Sequence, residues 1–251
     1  MSSLTNKVVI VTGALTGIGR ATAIAFAEKG AKVVLAGRHE DKGQAFAVEL
    51  RALGTEAEFI RTDVRKEEDL RNLVDQTVAR FGRLDAAVNN AAVEGQLGPV
   101  QDATEENFRA VHETNVLGVF LSMKHQLRVM IPQGAGSIVN ITSTYGHKAA
   151  AFATAYVSSK FAVEGLTKSA ALEQGNNGVR VNVVAPGPTD TAMLDRFTGT
   201  AEVNDALLST VPLRRRATTK ELADTIVFIS SPEASYITGS VFEVDGGMSA
   251  A

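Results

Sequence analysis

Short runs of apolar residues recur along the chain, separated by longer segments in which polar and apolar residues mix. Most runs lack the polar alternation of half-exposed strands, which predicts strands buried on both faces of a parallel sheet. The predicted strands cover residues 8–11, 32–36, 57–61, 84–88, 137–141, 179–184 and 241–244. The predicted helices cover residues 17–29, 40–53, 66–80, 104–131, 153–175 and 219–231.

The order of these elements predicts the fold class. Helices that alternate with parallel strands require right-handed crossovers. We therefore predict an α/β fold, namely a doubly wound seven-stranded parallel sheet with helices on both faces, Rossmann-like in form. The length of 251 residues, with no internal repeat or low-complexity linker, favours a single domain over 1–251.

The least regular stretch, residues 186–216, follows the sixth predicted strand and ends in a basic run at 214–216. Ligands of such folds bind beyond the carboxyl ends of the strands, so we predict a substrate lid over about residues 188–216. A mobile surface loop with no catalytic role is the alternative.

Charge and composition exclude several classes of function. A net charge of −3 gives no basic footprint, so neither nucleic acid nor an anionic membrane is expected as a partner. The absence of cysteine excludes disulfides, cysteine-based zinc sites and thiol catalysis, and the four histidines form no ligand pair, so no metal site is expected. The polar start of the chain leaves no room for a signal peptide, and the apolar runs have strand length, which predicts a cytoplasmic protein.

A glycine-rich turn follows the first predicted strand and opens the first helix. Gly13 permits the tight turn, Gly17 lets the backbone approach a pyrophosphate, and Gly19 lets helix and strand pack closely. The helix N-terminus then presents N–H groups to the phosphates. The turn, including Thr16 and Ile18, is the predicted binding site for a dinucleotide. A purely structural turn is the alternative.

The spacing Gly-x-x-x-Gly-x-Gly resembles the short-chain dehydrogenase/reductase family, in the form whose length matches this chain. The likeness runs from Thr12 to the closing Asp245-Gly246-Gly247. It implies a nicotinamide-dependent oxidoreductase that interconverts an alcohol and a carbonyl by hydride transfer. The C-terminal half resembles the 3-oxoacyl-carrier-protein reductase and secondary alcohol dehydrogenase branches about equally.

The residues after the second strand bear on the choice of cofactor. Sites that prefer NAD place an acid there, whereas this chain has Gly37 followed by Arg38. An arginine–phosphate contact contributes ~1.5–3 kcal/mol, so we predict that NADP(H) is favoured over NAD(H). A solvated Arg38 at a helix start is the alternative, and Thr16 argues the other way, because many NADP-dependent relatives carry a basic residue there.

The resemblance implies further cofactor contacts after the third and fourth strands. Asp63 and Val64 stand where the family binds the adenine ring, although Asp63 also suits the N-cap of the next helix. Asn89 and Ala91 belong to a segment that resembles the family's Asn-Asn-Ala-Gly, with Ala92 in place of the glycine, and both are expected to line the cofactor.

The segment after the sixth strand resembles the family's Pro-Gly stretch under the nicotinamide. Pro186 and Gly187 carry that likeness. Thr189 and Thr191 are candidates for the carboxamide and the pyrophosphate. Ordinary loop-capping hydroxyls are the alternative for both threonines.

Tyr156 and Lys160 stand four residues apart in a predicted helix, which places them one turn apart on the same face. Ser143 lies just beyond the fifth strand, at the edge where ligands bind. With Asn115, these residues match the family's Asn-Ser-Tyr-Lys tetrad one for one. The alternative for Tyr156 is a buried phenol that packs the helix on the sheet.

The chemistry explains the residue types of the tetrad. A free tyrosine has a pKa near 10 and is a poor base, so Lys160 and an oxidised nicotinamide ring would have to favour the phenolate. Ser143 would hold the substrate oxygen against the phenol. Lys160 would also bind the nicotinamide ribose, and Asn115 would hold a water that links Lys160 to solvent.

The expected substrate is a small-molecule alcohol or ketone, and the mixed polar and apolar character of the expected pocket admits secondary alcohols, sugars, β-keto acyl groups and small cyclic ketones. The candidates for the pocket are Glu94, Gln96, Thr144, Tyr145, His147 and Met193, with a solvated loop as the alternative for His147. A cofactor-binding redox sensor without turnover is the alternative function, and it predicts loss of the tyrosine–lysine pair. A homo-oligomer, a tetramer, is expected from the resemblance and from two long amphipathic helices.

Overall fold

The computed structural model describes residues 4–250, and within that part of the chain seven parallel strands form a sheet in the order β3-β2-β1-β4-β5-β6-β7. No helix in the same range is long and apolar enough to cross a membrane. The strands are β1 (Val8–Thr12), β2 (Lys32–Gly37), β3 (Ala57–Arg61), β4 (Ala86–Asn89), β5 (Gly136–Ile141), β6 (Val179–Pro186) and β7 (Val241–Val244).

Both faces of the sheet are covered, which explains the unbroken apolar runs. Successive side chains of a strand point to opposite faces. Val9 and Val11 pack into one core, together with Phe26, while Ile10 packs into the other, together with Leu73. The predicted fold class is therefore confirmed.

The helices agree with the sequence except in two regions. Their bounds are α1 (Gly17–Glu28), α2 (Glu40–Ala52), α3 (Glu67–Phe81), α4 (Glu105–His112), α5 (Gly118–Gln133), α6 (Thr154–Gln174), α7 (Ala192–Thr198), α8 (Ala201–Ser209) and α9 (Thr219–Ser230).

The helix predicted over 104–131 is divided into α4 and α5 by a π-helical segment, Glu113–Leu117. Such segments add a residue to one turn and often occur at functional sites. Asn115 lies in this segment and is buried. The apolar pattern does not reveal the inserted residue, because a single wide turn changes the helical period only locally.

The stretch predicted as irregular contains α7 and α8. A threonine begins each helix, since Thr191 accepts a hydrogen bond from the Leu194 N–H and Thr200 accepts one from the Val203 N–H. Helices this short show too few turns for a periodic pattern to appear in the sequence.

Candidate active site

A cavity of about 920 Å³ opens at the carboxyl edge of the sheet. It lies where the strand order reverses between β1 and β4, the place where open α/β sheets bind their ligands. It is lined by most of the residues that the sequence assigns to cofactor or chemistry: Gly13, Thr16, Gly17, Ile18, Arg38, Asp63, Val64, Ala91, Ser143, Tyr156, Lys160, Pro186, Gly187, Thr189 and Thr191.

The glycine turn fits the cradle of a pyrophosphate. Gly13 and Gly17 have φ values of +62° and +53°, which other residues rarely adopt. A β-carbon on Gly19 would lie 2.3 Å from the Gly13 carbonyl oxygen, so Gly19 packs behind the turn and outside the cavity. Gly17 faces Thr191 across the cleft, since its β-carbon would lie 3.2 Å from the Thr191 Cγ2.

The turn after β4 is tied to the glycine turn by side chains. The Thr12 hydroxyl accepts hydrogen bonds from the N–H groups of Asn90 (3.0 Å) and Ala91 (3.2 Å). The Asn90 amide donates to the carbonyls of Thr12 and Gly13, both at 3.1 Å. Asn90 therefore supports this part of the cleft, a role that the sequence reasoning did not assign to it.

Asn89 lies elsewhere than predicted. It is the last residue of β4, so its side chain points into one face of the sheet and is buried. There its amide donates to Asn140 (2.8 Å) and Gln126 (3.1 Å). The Asn89 side chain therefore belongs to an interior amide network and does not line the cleft, so a contact of Asn89 with the cofactor would have to come from its main chain.

The end of the cleft beyond β2 and β3, where the resemblance places the adenosine, carries a charged cluster. Arg38 is exposed beyond β2, and Asp63 binds Arg65 through Nε (3.0 Å) and Nη2 (2.6 Å). This pairing lowers the pKa of Asp63 to about 2. Lys66, not Asp63, occupies the N-cap position of α3, and it makes no side-chain capping hydrogen bond, so the N-cap alternative for Asp63 is wrong. Arg65 also lines the cleft, and the sequence reasoning missed it.

Tyr156 and Lys160 lie one turn apart on α6, and both are buried. The Lys160 Nζ lies 5.5 Å from the centroid of the Tyr156 ring and donates to the Ile141 carbonyl at 3.0 Å. Ser143 stands two residues beyond β5, and its Oγ accepts from the Tyr145 N–H. The sheet edge and α6 thus bring the serine, the phenol and the ammonium group into one cavity.

Burial dominates the titration of this group. It raises the pKa of Tyr156 to about 12, and a hydrogen bond from Ser143 opposes the rise only partly. Burial also lowers the pKa of Lys160 to about 8. Within the protein alone, Lys160 does not lower the pKa of the phenol as the sequence reasoning expected. The phenol therefore holds its proton at neutral pH.

The Asn115 side chain lies behind the cleft rather than on its surface. Its Oδ1 accepts from the Val93 N–H, and its Nδ2 donates to the Val93 carbonyl and to the Ser159 Oγ. Ser159 in turn donates to the Tyr156 carbonyl at 2.7 Å. Each polar atom of the amide already has a protein partner, so the side chain positions the loop after β4 against α6. Both N–H groups of the amide are used, so a water held by Asn115 would donate to the second lone pair of Oδ1 or bind the main chain.

The threonines beyond β6 line the cleft and also stabilise its loop. Thr189 donates to the Gly187 carbonyl at 3.0 Å, and Thr191 caps α7. A β-carbon on Gly187 would lie 2.6 Å from the Asp245 Cα, so the closing Asp-Gly-Gly packs against this turn. The loop-capping alternative is thus correct for Thr191, and it coexists with a place on the cavity wall. Thr142 also lines the cleft, and its buried hydroxyl has no hydrogen-bond partner among residues 4–250.

Two of the six candidate substrate residues lie outside the cleft. The ring of His147 contacts the Glu164 carboxylate (3.0 Å) and the Ser249 hydroxyl (3.1 Å), so it is neither a substrate contact nor a solvated loop residue. The main chain of Gln96 is held by the side chain of Asn107. The others, Glu94, Thr144, Tyr145 and Met193, line the cavity.

Helix α7 covers the substrate end of the cleft. The Phe197 ring lies 6.0 Å from the ring of Tyr145 and 5.9 Å from the ring of Tyr156, measured between centroids. Arg196 forms an ion pair with Glu94, across 102 residues of sequence. The sequence reasoning missed Phe197 and Arg196, because helical periodicity in α7 is too short to assign its faces.

The arginines of the basic run at 214–216 bind neighbouring parts of the same segment. Arg216 donates to Asp195 on α7 (2.7 Å) and to Asn204 on α8 (2.6 Å), and it lies 3.4 Å from Asp190. Arg215 binds Glu221 in the first turn of α9. These contacts hold α7 and α8 to each other and to the loop beyond β6.

Comparison with known proteins defines the class. A family model described as Enoyl-(Acyl carrier protein) reductase matches residues 13–249. The 2,5-dichloro-2,5-cyclohexadiene-1,4-diol dehydrogenase of Sphingobium indicum is 41% identical over 252 residues, and the match covers 100% of both chains. The chain therefore belongs to the short-chain dehydrogenase/reductase family. It is an oxidoreductase that transfers a hydride between a nicotinamide cofactor and a ketone or secondary alcohol.

Solved structures of the family show both cofactors. A variant of actinorhodin polyketide ketoreductase with NADPH has a TM-score of 0.93 at 33% identity and covers 100% of both chains. NAD⁺-bound xylitol dehydrogenase also has a TM-score of 0.93 at 33% identity, and the match covers 97% of this chain and 99% of that one. The redox-sensor alternative has no support, since the tyrosine and lysine share the cavity.

Proposed function

We propose that the protein is an NADP(H)-preferring enzyme that interconverts a small, uncharged cyclic ketone and its secondary alcohol. The observation that carries this proposal is the arrangement of Ser143, Tyr156 and Lys160 in one cavity whose substrate end is closed by aromatic side chains. The diol dehydrogenase of Sphingobium indicum, with its ring-shaped substrate, supports it.

Each residue of the tetrad has a separate role in the transfer of the hydride and the proton. When bound, the nicotinamide supplies or accepts the hydride. Tyr156, protonated at neutral pH, donates the proton that a carbonyl oxygen needs during reduction. Ser143 orients that oxygen toward the phenol, and Lys160 binds the nicotinamide ribose. Asn115 is a positioning residue, because it acts through Val93 and Ser159.

The remaining cofactor contacts follow the shape of the cleft. The glycine turn and Thr191 would hold the pyrophosphate from two sides, and Asp63 and Val64 would contact the adenine. Arg38 would meet a 2′-phosphate, since Gly37 offers no carboxylate to repel it. Residues 188–216 would act as the substrate lid, because α7 carries Phe197 and Arg196 over the cavity.

The experiment compares kcat/KM for NADPH and NADH with cyclohexanone as substrate, at fixed ionic strength because salt screens an exposed arginine. NADPH is expected to be better by roughly ten- to hundredfold, and Arg38→Leu should remove most of that advantage. Arg71→Leu, which breaks an exposed pair with Glu68, is the matched control. Equal or better use of NADH would reduce Arg38 to a surface residue.

Gly37→Asp is expected to reverse the cofactor preference, because its carboxylate repels a 2′-phosphate. A β-carbon at this position would lie 3.1 Å from two side-chain carbons of Leu15, so the substitution also crowds the turn. Gly37→Ala brings the same crowding without the charge. The change in preference between these two variants isolates the electrostatic effect.

We also propose that the protein assembles as a homotetramer. Phe108 on α4, Phe120 on α5 and Phe161 on α6 are each nearly half exposed, and α6 packs against both other helices. Large apolar side chains at one surface favour association. Sedimentation at micromolar concentration should give four chain masses, and a monomer would contradict the assembly.

A further inference from the structure

Glu94 is a largely buried carboxylate at the substrate end of the cleft. Its side chain is 13% exposed, whereas the side chain of its partner Arg196 is 61% exposed. The Arg196 Nη2 lies 3.3 Å from one carboxylate oxygen, and the Nε contacts the other. The acid is thus the inward-facing member of the pair, and the base is the member that faces water.

Its surroundings separate Glu94 from the other acids of the cleft. Among the described residues that line the cavity, the carboxylates are Asp63, Glu94 and Asp190. Asp63 binds Arg65 at the adenosine end, and Asp190 is 77% exposed beside Arg216. Glu94 is therefore the acid presented to the substrate.

Glu94 also lies near the reacting groups. Arg196 of α7 pairs with Glu94, and the ring of the next residue, Phe197, lies 5.9 Å from the ring of Tyr156. Met193, Tyr145 and Phe197 also line the cavity, and Glu94 is the carboxylate among the described residues at that end, so it is the group there that accepts hydrogen bonds without donating any.

An ionised carboxylate accepts about four hydrogen bonds and donates none. Arg196 occupies one position on each oxygen of Glu94, which leaves acceptor positions for a bound molecule. A substrate that places a hydroxyl beside Glu94 replaces the hydrogen bonds that the carboxylate loses when water is displaced. An apolar substrate displaces the same water without replacing those hydrogen bonds. A substrate anion would meet like charge in a poorly solvated place.

We propose that Glu94 is a specificity-determining residue that accepts a hydrogen bond from a second hydroxyl of the substrate. This inference rests on the proposed function and narrows it. The preferred substrates are neutral cyclic diols and hydroxyketones, rather than simple cyclic alcohols or hydroxy acids.

The test measures kcat/KM for oxidation, with saturating NADP⁺, of secondary alcohols on a single ring. The probes are cyclohexanol, the 1,2-, 1,3- and 1,4-cyclohexanediols, and 4-hydroxycyclohexanecarboxylate. The best diol is expected to exceed cyclohexanol by at least about tenfold, and the carboxylate is expected to fall below cyclohexanol.

Two variants assign these ratios to Glu94. Glu94→Leu should bring the ratio of diol to cyclohexanol close to one. Glu94→Gln keeps an acceptor but loses the charge, so it should retain part of the diol preference and raise the relative rate on the carboxylate. Glu105→Gln, which removes an exposed carboxylate paired with Arg109, should leave all the ratios unchanged.

Each contrary result has a distinct meaning. A diol preference that is absent from the unmodified protein, or that persists in Glu94→Leu, overturns the assignment while the proposed function stands. Preference for the carboxylate also overturns it, because Arg196 rather than Glu94 would then contact the substrate. Failure to oxidise any of the alcohols with either cofactor contradicts the proposed function and this assignment together.

Discussion

The two ends of the cleft are built by different means. At the cofactor end, main-chain conformation sets the shape, since Gly13 and Gly17 adopt positive φ and the Thr12 hydroxyl ties two turns together. At the substrate end, side chains of α7 meet other segments through an ion pair and an aromatic contact. The first end is built from the carboxyl edge of the sheet itself, and the second is a cover laid over that edge by α7.

The difference has a physical reason. The diphosphate of a dinucleotide is the same in every substrate complex, so backbone N–H groups suffice to bind it. Substrates differ in shape and polarity, so the selective surface must come from side chains that can change without disturbing the sheet. One cavity thus combines a cofactor cradle made of main chain with a substrate surface made of side chains.

The largest effect is expected at the fixed end. Tyr156→Phe should lower turnover at least about a hundredfold while cofactor affinity stays nearly unchanged, because proton transfer by a positioned side chain is worth about 10²–10⁴-fold. Tyr236→Phe, which removes a fully exposed hydroxyl, is the matched control. If Tyr156→Phe keeps more than about a tenth of the turnover, the phenol is not the proton donor.

Gly19→Ala tests the main-chain cradle. Its β-carbon would lie 2.3 Å from the Gly13 carbonyl oxygen, so the turn must shift, and cofactor affinity should fall at least about tenfold. The matched control is Gly175→Ala, which follows α6 directly, is exposed, meets no described atom within 4 Å and should leave cofactor affinity unchanged. Cofactor titration by fluorescence measures the affinities, and an unchanged value for Gly19→Ala would show that the turn tolerates the shift.

Lys160→Met tests what the fixed end costs in stability. The pKa of Lys160 is lowered from 10.5 to about 8, which corresponds to a cost of roughly 3 kcal/mol for burying the charged form at neutral pH. The substitution removes this cost but also removes the hydrogen bond to the Ile141 carbonyl, which offsets part of the gain. At pH 7 the free energy of unfolding of the variant should be about 1–2 kcal/mol higher than that of the unmodified protein, although the turnover of the variant falls.

The pH dependence has a definite sign. Between pH 8 and 10.5 the unfolded chain binds more protons at Lys160 than the folded chain, so the unmodified protein gains stability as pH rises. The advantage of Lys160→Met should therefore shrink across this window. Urea unfolding at pH 7 and pH 9.5 measures it, with the exposed Lys168→Met as control, and a constant advantage would show that burial does not govern Lys160.

The smallest effect is expected in the cover. Arg216→Met removes the contacts that hold α7 to α8, and KM for the ketone should rise about two- to fivefold with a smaller change in kcat. Arg215→Met, which breaks the ion pair with Glu221 on α9 and a hydrogen bond to the Arg216 carbonyl but no contact to α7 or α8, should leave KM unchanged. Equal effects of the two variants would contradict a lid held by Arg216.

Local patterns made much of the fold predictable. Runs such as Val8-Val9-Ile10-Val11 indicate strands covered on both faces, and the spacing of Tyr156 and Lys160 indicates one face of a helix. The same patterns did not predict which way an individual side chain points at the end of a strand. Asn89 and Asn90 are neighbours of the same type, yet the end of β4 sends only the first into the interior.

The sequence by itself determined the parallel sheet, the glycine turn and the tyrosine–lysine pair, because periodicity and backbone conformation are properties of short segments. Only the tertiary structure decided that Glu94 meets Arg196 and that His147 turns to Glu164, since these contacts join distant parts of the chain. It also decided the titration of Tyr156 and Lys160. A pKa depends on the burial of a group, and burial arises from the packing of the whole chain.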